Sequence, residues 1–129
     1  MTYSENGNAA LFIDKAHMDF VNTQLTRAIY GATLFTILLS ETNPRIAMDL
    51  INDGTLNTQG ITHAFIGHYD SLPETVDLSE AILQKTPQII RIALGDDLDF
   101  LSGQTHKFTW NDLYNSRIIH KMRYSLANF

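Results

Sequence analysis

Twelve consecutive residues at positions 28–39, AIYGATLFTILL, carry no charged side chain. They close a longer stretch in which Leu11, Phe12, Ala16, Phe20, Val21, Leu25, Ala28 and Ile29 recur at three- and four-residue steps, the spacing of one helical face. A helix that is apolar all round has to be buried, at the centre of its own domain or against another chain. The segment from Ala9 to Leu39 therefore predicts one long, largely buried N-terminal helix. Gly31 is its natural bend, at a cost of about 1 kcal/mol relative to Ala.

Local signals divide the remainder. Asn43-Pro44 supplies a cap and a first-turn proline, for a helix through Ile46, Ala47, Leu50 and Ile51 that stops at Asp53-Gly54. Thr58 to Tyr69 predicts a short helix with Ile61, Ala64, Phe65 and Tyr69 on one side, broken by Leu72-Pro73. Residues 75–85 predict another, through Val76, Leu78, Ile82 and Leu83. Thr86-Pro87 looks like a further start, followed by Ile89, Ile90, Ile92, Ala93, Leu94 and Leu98. A strand is the alternative for that isoleucine-rich run, but Pro87 would remove a ladder donor and no partner with period-two alternation is evident. Thr109 and Asp112 approximate a capping box, Asp standing for the usual Glu or Gln, with Phe108 and Leu113 placed as a hydrophobic staple. The expected last helix continues through Tyr114, Ile118, Ile119, Met122 and Leu126. The expectation is an all-α chain: a flexible lead at 1–8, then a single compact bundle of about six helices over 9–129.

Composition bounds what such a domain can do. At 129 residues the chain has the length of one domain, and with 44% hydrophobic and 18% charged residues it can bury a core. Cysteine is absent, which removes disulfides, thiol nucleophiles and thiolate metal sites. The polar start MTYSENGN lacks the pattern of a signal peptide. The apolar stretch is also shorter than the roughly 20 residues that span a bilayer. A cytoplasmic, soluble protein without membrane association is expected. Residues 41–104 hold ten acids against three bases, while 105–129 hold four bases against one acid. A middle this acidic makes nucleic acid an unlikely partner, because a phosphate-binding surface needs clustered Lys and Arg.

Chemistry-bearing motifs are few. His63 and His68 are five apart, off the i, i+4 spacing that puts two ligands on one helical face, and His17, His106 and His120 stand alone. Asp96, Asp97 and Asp99 lack the spacing and closing Glu of a calcium loop. No Gly-x-Ser-x-Gly elbow and no phosphate-binding glycine loop occurs. No catalytic residue, metal site or cofactor is assigned. On the last predicted helix, Arg117 and Lys121 share a face with Tyr114 and Tyr124 in reach, and Trp110 and His120 nearby.

Leu39-Ser40-Glu41-Thr42-Asn43-Pro44, with Ala47 and Leu50, resembles the interhelical turn of the RbcX-type Rubisco-assembly chaperones. That resemblance implies a small all-helical homodimer clamping a peptide, with Glu41 and Asn43 in its groove. It is confined to this stretch: upstream, Tyr30-Gly31-Ala32-Thr33-Leu34 departs from the family pattern, and downstream the segment to Arg91-Ile92 is longer. An Asn cap followed by a first-turn proline accounts for the same residues locally, and no family assignment is made on them.

The functional expectation is a non-enzymatic protein–protein interaction module, an adaptor, inhibitor, immunity factor or assembly chaperone, homodimeric in form. Its contact residues would be Phe20, Tyr30, Phe35 and Leu38 on the long helix and Tyr114, Arg117, Lys121 and Tyr124 on the last. The alternative is a small-molecule or metal-binding helical bundle using His63, His68 and the Asp96–Asp99 cluster, with enzymatic activity open. A nucleic-acid-associated regulator acting through the last helix is the third.

Overall fold

The computed structural model describes residues 8–28, 33–39, 45–69, 75–96, 98 and 106–114. The all-α helical bundle is overturned. The chain runs Asn8–Asp14 (β1), Lys15–Ala28 (α1), Thr33–Leu39 (β2), Arg45–Asn52 (α2), Thr55–Thr58 (α3), Ile61–Gly67 (β3), Thr75–Lys85 (α4), Ile90–Gly95 (β4) and His106–Thr109 (β5), then a 3-10 turn over Asn111–Tyr114. The five strands form one parallel sheet in the order β2-β1-β3-β4-β5.

The error has a definite cause. A parallel sheet is covered on both faces, so its inner strands read as continuous apolar runs without alternation. In β1, Ala9, Leu11 and Ile13 join Val21, Phe65, Ile92 and Leu94 on one face. Ala10 and Phe12 join Ala64, Ile66, Ile51, Leu56, Leu78 and Ile82 on the other. All five residues from Ala9 to Ile13 are fully buried. The expected long N-terminal helix is thus strand, helix and strand. Only α1 has the helical stripe, with Met18, Phe20 and Val21 turned to the first core.

The helix expected over 58–69 is β3, preceded by the single turn α3. The helix expected after Thr86-Pro87 is β4. Pro87 precedes the strand and does not interrupt its ladder. Thr86 instead closes α4, its N–H and hydroxyl both donating to the Ile82 carbonyl at 2.8 and 2.9 Å, as expected of a residue before proline.

Three local expectations hold. The helix α2 stops at Asn52, and Gly54 follows at a φ of 84°, the left-handed conformation glycine tolerates. The helix α4 spans the expected 75–85. Thr109 and Asp112 form a reciprocal capping box: Thr109 N–H donates to Asp112 Oδ2 at 2.8 Å, and Asp112 N–H donates to Thr109 Oγ1 at 3.2 Å. Of the expected lead, Asn8 already belongs to β1, and residues 1–7 lie outside the described residues.

Helix α1 covers one face of the sheet, and α2, α3 and α4 cover the other. Beneath α4 lies a buried cation. Arg91 on β4 is 3% exposed, and its Nη1 donates to Ser79 Oγ at 3.0 Å and to the Ser79 carbonyl at 3.3 Å. Among the described residues, no helix is long and apolar enough to cross a membrane.

Candidate functional site

The strand order reverses at β1: the chain leaves it for β2 on one side and later crosses to β3 on the other. Connections leaving the carboxyl ends of the two strands flanking such a point turn to opposite faces of the sheet. The crevice opened there is where open α/β sheets bind ligands. In this protein the carboxyl ends of β1 and β3 present Asp14 and the pair His68-Tyr69, and Trp110 follows β5.

Asp14 is the last residue of β1 and also caps α1 without an intervening loop. Its Oδ1 accepts the His17 backbone N–H at 3.0 Å, the bond an N-cap side chain makes to the third helical residue. The same oxygen lies 2.8 Å from His17 Nδ1. A carboxylate accepts and does not donate, so Nδ1 carries the ring hydrogen and Nε2 is left to meet solvent or a ligand. Asp14 also donates its backbone N–H to the Tyr69 hydroxyl at 3.1 Å. Burial pushes the Tyr69 phenol well above its ordinary range. The bond from the Asp14 backbone opposes that rise and the Asp14 charge adds to it, so the phenol stays protonated.

Three rings close over this pair. The His17 imidazole stacks on Trp110 with centroids 4.4 Å apart and 16° between planes. Tyr69 lies 5.4 Å from His17 and 5.7 Å from Trp110. Trp110 is anchored by its backbone N–H, which donates to the Gly95 carbonyl at the end of β4 at 3.2 Å. Gly67 leaves the room Tyr69 needs: a Cβ there would meet the Tyr69 ring, with Cε2 at 2.9 Å. The His17 side chain is 36% exposed and Asp14 21%, so the cluster opens to solvent on the His17 side.

His68 is 6% exposed, and its backbone N–H donates to the Leu94 carbonyl at 2.8 Å. Burial lowers its imidazole pKa to about 4.

The structure redistributes the residues expected to act. His63 sits inside β3, paired with Ala9 and Ile90, while His68 follows the strand's end. Five residues of extended chain span about 16 Å, so the two are not co-ligands. Asp96 is exposed after β4, and Asp97 and Asp99 lie outside the described residues. Among the described residues no three His, Asp or Glu come together as a metal site.

Phe20 and Phe35 are partly buried against opposite cores, while Leu38 is 44% exposed on β2. Tyr114 ends the 3-10 turn. Tyr30, Arg117, Lys121 and Tyr124, with Glu41 and Asn43, lie outside the described residues.

Asp14, Tyr69 and the stacking role of Trp110 were missed. For two of them the signal was present: Asp14 follows the apolar run ALFI and His68-Tyr69 follow AFIG, whereas Trp110 follows HKFT, which carries no such run. It is legible only once those runs are taken as parallel strands. No known protein family matches the chain, and no curated protein matches it.

Proposed function

We propose that this protein is a small-molecule-binding α/β domain, with its site at the β1/β3 crevice. The observation that carries the reading is the meeting of the Asp14–His17 pair, Tyr69 and Trp110, from three separate parts of the chain: Tyr69 bonds Asp14 and Trp110 stacks on His17. Aromatic faces stack on planar rings, and His17 Nε2 adds one polar contact of fixed direction. The absence of a glycine loop between β1 and α1, and the Asp14 carboxylate already seated on the helix N-terminus, disfavour a phosphate at that position. A neutral or cationic planar ring fits this chemistry better than a nucleotide phosphate.

Trp110 is the only tryptophan in the chain, so its emission reports the site directly. Titration with nucleosides, flavin analogues and aromatic amines is expected to give, for at least one class, a saturable emission change that is lost in His17→Ala. No saturable change with any class, or an equal change in folded His17→Ala, would remove the reading.

A second reading, protein–protein recognition through a homodimer, is supported by a different observation. Leu38 at 44% and Ile46 at 46% are the exposed large hydrophobic residues among the described positions, Leu38 on the outermost strand β2 and Ile46 in the first turn of α2.

A further inference from the structure

We propose that two copies of this chain associate by antiparallel pairing of their β2 strands about a two-fold axis at Thr36, joining the two sheets into one. The inference deepens the homodimer reading and is independent of the ligand site.

The two edges of the sheet are built differently. Strand β5 is four residues long and presents exposed His106 and Lys107, a short, charged edge that discourages further pairing. Strand β2 is seven residues, TLFTILL, with no charge, proline or glycine. It pairs with β1 in unbroken register from Asn8↔Thr33 to Asp14↔Leu39, so no bulge turns its outer side away. Among the described residues no strand lies on that side. Among the described residues, none of the usual means of protecting an edge is present on β2.

The side chains of β2 indicate what covers it. In an isologous contact each residue meets the same strand reversed, so any charge near the axis faces its own copy. Reversed about Thr36, the strand sets Leu34 against Leu38, Phe35 against Ile37 and Thr36 against Thr36. Leu34, Thr36 and Leu38 share the α1 face, and Phe35 and Ile37 share the other. Apolar residues thus meet apolar residues, aromatic meets β-branched, and Thr meets Thr, the pairings that stabilise antiparallel strands. Leu38, exposed on the α1 face, would gain cover.

The test is a charge swap at the axis. Thr36 is exposed in the single chain, so T36K and T36E leave the core intact, and circular dichroism with thermal melts checks that each folds. Sedimentation velocity over a concentration series is expected to show a dimer for the unmodified protein. T36K and T36E alone should dissociate about fivefold more readily, because like charges directly opposite destabilise the pair. Mixing the two should restore the dimer.

Hydrogen exchange on the unmodified protein gives a readout without substitution: amides of 33–39 should slow as concentration rises. A monomer at every concentration overturns the pairing and leaves the ligand reading, followed through Trp110, unaffected. A dimer unchanged by both substitutions, or folded variants that do not recombine, also overturns it.

Discussion

At the residue scale, two histidines near one sheet edge play opposite parts. His17 is held by a carboxylate and opens to solvent, whereas His68 is enclosed and kept neutral by burial, its pKa lowered to about 4. The unfolded chain binds a proton at His68 near pH 6.5, and the folded chain does so only near pH 4. Stability from this group is therefore complete above pH 6.5 and is lost as pH falls from 6.5 towards 4. Urea melts at pH 7, 5 and 4 should show the unmodified protein losing on the order of 2 kcal/mol more than His68→Gln over that interval. Equal losses would mean that the acid sensitivity arises from the carboxylates alone.

At the element scale, helix ends are set by side chains a few positions away, and their contributions can be measured singly. The Thr109–Asp112 box orders the turn that carries Trp110 to the Gly95 carbonyl. Thr109→Ala leaves the Asp112 N–H without its acceptor and should lower stability by about 1 kcal/mol while shifting Trp110 emission. An unchanged emission spectrum would show that packing of Phe108 and Trp110 against the core holds the turn without the box. The same local logic made the Gly54 stop and the α4 span readable in advance. It gave no access to β3 or β4, whose apolar runs are as compatible with a buried helix as with a buried strand.

At the scale of the whole molecule, β1 is the shared member of both cores. Its Ala9, Leu11 and Ile13 pack under α1, and its Ala10 and Phe12 under α2, α3 and α4. Damage on one face should therefore be felt on the other. Phe12→Ala opens a cavity on the α2 side and should cost about 3–5 kcal/mol. Because Trp110 belongs to the opposite core, its emission and the far-ultraviolet circular dichroism should still move through one coincident transition. Separated transitions would show two cores that unfold independently.

Local chemistry was decided within a few residues of itself: Asp53-Gly54 ends a helix, and Thr109 with Asp112 starts the turn over Asn111–Tyr114. These follow from the sequence because their partners lie within four positions along the chain. The sheet and its crevice were decided only in three dimensions. Ala9 finds Leu34 on one side and His63 on the other, and a strand enclosed on both faces loses the alternation that would reveal it. The site inherits that dependence, since Asp14, His17, Tyr69 and Trp110 meet only because parallel strands bring their carboxyl ends to one edge.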